Sequence, residues 1–106
     1  MRSIKWYADL YVGEQVKGKE KKRIRQITES GRPRHYYLIA YPANENNLLD
    51  IMPVRTAQYY ENLHVIGLAK NKREALHVAG VILDEVYRTT GGFAVQEYLK
   101  KPFKSR

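Results

Sequence analysis

The sequence predicts an α+β domain of the ferredoxin-like βαββαβ kind. Three observations point there. Residues 4–12 alternate in hydropathy with period two, residues 36–41 and 63–69 are near-continuous apolar runs, and residues 71–90 carry a one-sided apolar stripe at helical spacing. The expected form is an antiparallel sheet with two helices on one face and an insertion between the second and third strands. A chain of 106 residues is expected to form one domain, here residues 1–99, with residues 100–106 as a basic tail.

In the first strand Ile4, Trp6, Ala8, Leu10 and Val12 alternate with Lys5, Tyr7, Asp9 and Tyr11, and Gly13 ends the run. In the next segment Val16, Ile24 and Ile27 recur at helical spacing, with Lys17, Lys21, Lys22 and Arg25 opposite them. Gly18 costs about 1 kcal/mol relative to Ala inside a helix. A β-hairpin turning at Lys17-Gly18-Lys19 is therefore an alternative, and residues 14–29 stay open between the two, with the helix preferred. Ser30-Gly31-Arg32-Pro33 stops that element.

His35–Tyr41 then reads as a strand and 43–47 as a loop. Leu48–Met52 fits a short strand or a helical turn, and Pro53 suits the first turn of a short helix reaching Tyr60. Leu63–Ala69 has few polar side chains and is expected at the sheet centre. Asn71 can cap a helix that buries Ala75, Ala79, Ile82, Leu83 and Val86, with Asp84 and Arg88 paired at i, i+4 on its outer side. Thr89-Thr90-Gly91-Gly92 ends it, and Phe93–Leu99 reads as a short edge strand.

Charge is segregated along the chain. Residues 1–34 hold ten Lys/Arg against four Asp/Glu, residues 35–99 hold five against seven, and residues 100–106 hold four with no acid. Six of the nine residues 17–25 are cationic, namely Lys17, Lys19, Lys21, Lys22, Arg23 and Arg25. Such a block attracts polyanions, and Arg32, Arg34, Lys100 and Lys101 extend it. The bland reading, a solvated helix face in a basic protein, stands level with nucleic-acid binding. The block lacks the bulky apolar face of an interfacial membrane helix. Cysteine is absent, which excludes disulfides, thiolate catalysis and Cys-ligated metal, and fits a reducing cytoplasm. The run Val78–Leu83 is far short of the roughly 20 apolar residues that span a bilayer, and Lys5 and Asp9 interrupt any apolar signal core at the start.

Gly13-Glu14-Gln15-Val16-Lys17-Gly18-Lys19-Glu20 matches the G-x-x-x-x-G-K part of a phosphate-binding loop after a strand. Magnesium binding needs a hydroxyl in the next place, where Glu20 stands and would repel phosphate. His35, His64 and His77 lie on separate elements and lack the spacing of a metal site. No catalytic, cofactor or metal residue is therefore assigned, and a non-enzymatic protein is expected. Aromatic residues are frequent, at nine Tyr, two Phe and one Trp, and Tyr7 and Tyr11 share one face of the first strand. Such a face on an open sheet is expected to be buried, by the insertion around 43–60 or by a second subunit, with the second preferred, and Leu63–Ala69 lacks the aromatics that stack bases in RNA-recognition domains.

The motifs Trp6-Tyr7-Ala8-x-Leu10-Tyr11-Val12-Gly13-Glu14, Asn47-Leu48-Leu49-Asp50-Ile51, Ile66-Gly67-Leu68-Ala69, Glu74-Ala75-Leu76 and Thr90-Gly91-Gly92-Phe93 carry a resemblance. Over its whole length the chain resembles a group of small uncharacterised Firmicutes proteins with no assigned activity, so the resemblance implies no catalytic residue. The expectation from sequence is an interaction module that forms a homodimer through its sheet face at Tyr7 and Tyr11. The alternative is a nucleic-acid-binding module using the basic block and Lys100 and Lys101.

Overall fold

The computed structural model describes residues 4–44 and 46–105. Its elements are β1 (Ile4–Val12), α1 (Glu20–Ser30), β2 (Tyr37–Ala40), β3 (Asp50–Pro53), α2 (Val54–Ala57), β4 (Leu63–Ala69), α3 (Lys72–Thr90), α4 (Val95–Tyr98) and β5 (Phe103–Lys104). They form a mixed α+β domain around one five-stranded sheet, ordered β3-β2-β4-β1-β5. The two central strands, β1 and β4, run parallel, and every other neighbouring pair is antiparallel.

The sheet is therefore mixed, not antiparallel, and its helices do not share a face. Trp6, Leu38, Val65 and Leu68 point to one side and pack with Ile24 and Ile27 of α1 and with Val54 and Ala57 of α2. Tyr7, Ile39, Ile66 and Ala69 point to the other and pack with α3 and with Val95 and Leu99 around α4. The cause lies in the strands. A strand that is apolar on both faces needs cover on both, because each uncovered large side chain forgoes roughly 1.5–3 kcal/mol of burial.

The first helix is shorter than the expected span. Gly18 has φ of 87°, a left-handed conformation that belongs to a turn, so 13–19 folds back and α1 begins at Glu20. The hairpin alternative does not form. Ile24 and Ile27 are buried as the spacing predicts, and Gly31, at φ of 69°, closes the helix with its N–H on Ile27 O. Fully buried Trp6 joins α1 to the sheet by donating Nε1–H to Thr28 Oγ1 at 3.1 Å.

α3 follows the sequence pattern closely. The Asn71 side chain accepts the Glu74 N–H at 2.9 Å, Ala75, Ala79, Ile82 and Val86 are buried, and Asp84 pairs with Arg88 at 3.0 Å. Val78 joins the buried face, while Leu83 is only half-buried. Phe93–Leu99 is not a strand. Val95 and Leu99, four apart, both bury in one helical turn, and the edge strand is Phe103–Lys104 instead. Phe103 draws the chain back to β1, since its ring packs 5.2 Å from that of Tyr7 and 5.1 Å from that of Tyr41. The insertion supplies β3, which pairs with β2, and α2, for which Pro53 is the N-cap.

At Gly13 the packing leaves no room for a side chain. A Cβ there would lie 2.3 Å from the Glu74 carboxyl carbon. That carboxylate is buried and accepts the Gln15 N–H and the Lys70 N–H, each at 2.8 Å. Glu74→Ala leaves both amides without a partner and is expected to cost about 2–4 kcal/mol in chemical denaturation. Gly13→Ala is expected to cost about 1–3 kcal/mol alone and measurably less in the Glu74→Ala background, a non-additivity that a double-mutant cycle reads directly.

Candidate functional site

The cations of the basic block split between the 13–19 turn and α1. Lys17 and Lys19 are exposed in the turn, and Lys21, Lys22 and Arg25 are exposed on the outer side of α1. Two of the six are tied locally. Lys17 Nζ lies 2.8 Å from Glu14 Oε1, and that pairing lowers the Glu14 carboxyl from its usual value and raises the Lys17 amine. Arg23 donates Nε–H to the Tyr36 hydroxyl at 3.1 Å and a second N–H to Gln26 Oε1 at 2.8 Å. Its guanidinium carbon sits 5.4 Å from the Tyr36 ring centre, a cation–π distance. Lys19, Lys21, Lys22 and Arg25 have no acidic partner within ion-pair distance among the described residues.

The outer stripe of α1 runs Lys22, Arg25, Glu29 at i, i+3, i+7 and leads into a cleft of about 270 Å³ at the end of the helix. Glu29, Arg32, Arg34, Arg55 and Gln58 line it. Local folding explains how the three arginines meet. Gly31 turns the chain out of α1 and sets Arg32 and Arg34 beside the helix end. The Arg55 N–H donates to Arg34 O at 3.2 Å, and the Val54 N–H to Tyr36 O at 2.7 Å, which lays α2 against the start of β2. All three side chains are exposed. Their mutual repulsion is offset by Glu29 and by the negative end of the α1 dipole.

Arg55 was not among the sequence candidates. The only available signal was its place in a short helix whose Val54 and Ala57 turn inward. Conversely, Lys100 and Lys101 do not extend this footprint. They line a cleft with Tyr7 and Tyr11 on the α3 side of the sheet, opposite α1. The structure thus brings Lys21, Lys22, Arg25, Arg32, Arg34 and Arg55 to one face and leaves Lys100 and Lys101 on the other.

The tyrosine face is not an open surface. Tyr7 is buried, its hydroxyl accepts the Lys101 N–H at 3.3 Å, and α3, α4 and β5 cover that side of the sheet. Tyr11 is half-buried and its hydroxyl donates to Glu85 Oε2. The physical reason is again the two-sided apolar character of the strands: a face that buries Ile39, Ile66 and Ala69 is claimed by the chain's own helix.

The phosphate-loop match also resolves structurally. The amides that would cradle a phosphate are taken within the protein: Gln15 N–H by the Glu74 carboxyl, Gly18 N–H by that of Glu20, and the Val16, Lys17 and Lys19 N–H groups by the carbonyls of Gly13 and Val16. His64 packs between Tyr41 and Phe103, while His35 and His77 are exposed. Among the described residues no group of three or more His, Cys, Asp or Glu could hold a metal ion, and no helix is long and apolar enough to cross a membrane. No protein-family model, curated protein or solved structure matches the chain.

Burial, reinforced by the Glu85 carboxylate, pushes the Tyr11 hydroxyl well above its ordinary value of 10.0. The folded state therefore holds this proton more tightly than the unfolded chain. The resulting stability is fully present below pH 10 and is lost as pH climbs towards the folded value. Tyr11→Phe, which keeps the ring, is expected to flatten the alkaline fall in unfolding free energy above about pH 10, measured as a difference from the unsubstituted protein in a denaturant series.

Proposed function

We propose that this chain is a nucleic-acid-binding module that holds a phosphate backbone along the outer face of α1 and in the arginine-lined cleft at its end. The observation that carries this reading is the run of cations without acidic partners. Lys19, Lys21, Lys22 and Arg25 lead directly towards Arg32, Arg34 and Arg55. A cation already paired inside its own protein gains little from a phosphate, whereas one facing solvent releases condensed counterions when it binds. Lys17 and Arg23 are committed internally and contribute less than their place in the basic block implies. Guanidinium groups suit the cleft, since each can bind a phosphate through two parallel N–H donors. Lysine and guanidinium groups spaced along a helix face suit phosphates, so the recognition proposed is of backbone charge rather than base sequence.

The test is a salt titration. Fluorescence anisotropy with a labelled B-DNA duplex and with a single-stranded RNA should give an affinity that falls steeply with salt. The slope on duplex should flatten by about 0.9 for each contact removed in Lys21→Glu, Lys22→Glu and Arg25→Glu. Arg34→Glu with Arg55→Glu should weaken binding further. These side chains are exposed, so each variant should keep stability within about 0.5 kcal/mol. Unchanged affinity and slope in the triple variant would remove the proposal.

A further inference from the structure

The face of the sheet opposite α1 carries a second cleft, of about 510 Å³, that the polyanion reading does not use. It owes its existence to an irregularity in β1. That strand pairs with β4 up to Trp6 and again from Tyr11, while between those points five steps along β1 match two along β4. Residues 7–10 have no register partner in β4, and the chain leaving α4 runs along the outer side, with the Ala8 N–H on Pro102 O at 2.9 Å.

The cleft walls are chemically mixed in a specific way. Three tyrosines line it: Tyr11 and Tyr98, both half-buried, supply ring surface, while Tyr7 is itself buried. Two of them are held by their hydroxyls, Tyr7 by the Lys101 N–H and Tyr11 by Glu85. Two carboxylates, Asp9 and Glu85, and two amines, Lys100 and Lys101, share the same space. No ion pair joins these acids to these lysines among the described residues. Opposite charges that line one cleft without meeting leave room for a molecule between them.

Each simpler ligand is opposed by half of the lining. A polyanion meets Asp9 and Glu85, and a simple cation meets Lys100 and Lys101. We propose that this cleft binds a small zwitterion with an apolar or aromatic body, of the chemical class of an aromatic α-amino acid. Its ammonium group lies towards Asp9 and Glu85, where tyrosine ring faces add cation–π attraction. Its carboxylate takes Lys100 and Lys101, and its body lies on the tyrosine rings. The site is separate from the α1 face, so either can fail without the other.

The experiment uses the full chain and four probes: phenylalanine, phenethylamine, 3-phenylpropionate and glycine, followed by amide chemical shifts and calorimetry. Phenylalanine should shift the amides of Asp9, Glu85 and 98–101 saturably. Removing either charge should weaken binding about tenfold, because a lost charge-assisted hydrogen bond is worth that factor or more. Glycine should bind more weakly still, lacking the ring. Asp9 and Lys100 are exposed, so Asp9→Asn and Lys100→Ala test the two ends without threatening the fold; each should reduce phenylalanine affinity and spare its trimmed counterpart that already lacks that charge. The proposal is overturned if no saturable shift occurs at about 10 mM phenylalanine, a concentration that fills a millimolar site. It is equally overturned if the trimmed probes bind as well as phenylalanine, or if the Asp9→Asn, Lys100→Ala, Lys101→Ala variant keeps full affinity.

Discussion

A single buried carboxylate holds the ends of several elements together. Glu74, in the first turn of α3, accepts amide protons from the turn that follows β1 and from Lys70 at the end of β4. Gly13 has no side chain because that carboxylate fills the place where one would be. The turn in turn sets where α1 begins, and α1 presents the cations. A carboxyl group so placed is costly to bury alone, and its cost is met by hydrogen bonds from backbone donors that would otherwise also lack partners. The arrangement resembles anion binding by a loop, except that the anion belongs to the protein.

The two faces of the sheet have different chemistry as a result. On one, α1 buries Ile24 and Ile27 and turns lysines outward, so the surface potential is positive. On the other, α3 supplies Glu85 and β1 supplies Asp9, so positive and negative groups alternate around tyrosines. Charge that is segregated along the sequence is thus segregated in space by the sheet, which stands between the two surfaces. The exception is the C-terminal segment. Its lysines share the sign of the basic block, yet β5 pairs with β1 and delivers them to the mixed side.

How much of this was legible in the sequence depends on the range of the interaction. α3 was legible because its cap, stripe and ion pair are all local: Asn71 meets Glu74, and Asp84 meets Arg88. The two-sided cover of the sheet was not, because the hydroxyls of Tyr7 and Tyr11 made that face read as polar, whereas their rings are packed and their hydroxyls are bonded inside the fold. Glu74 received no role from the sequence, since its partner Gln15 is 59 positions away. Arg55 joined the candidate site only through pairing between β2 and β3, and strand pairing is the information a single sequence holds least of. The six cations of the block were visible as composition, but which of them are already engaged required the positions of Glu14 and Tyr36.

The outer margin of β1 is shielded by very little. Only Trp6 and Tyr7 pair with β5, a strand of two residues near the end of the described chain, anchored by the Phe103 ring among Tyr7, Tyr41 and His64. A strand this short makes few contacts and detaches at a fraction of the free energy of global unfolding. Without it β1 would be the edge of the sheet, with its outward backbone groups unpaired. The aromatic anchor at Phe103 is therefore what keeps this margin of β1 covered.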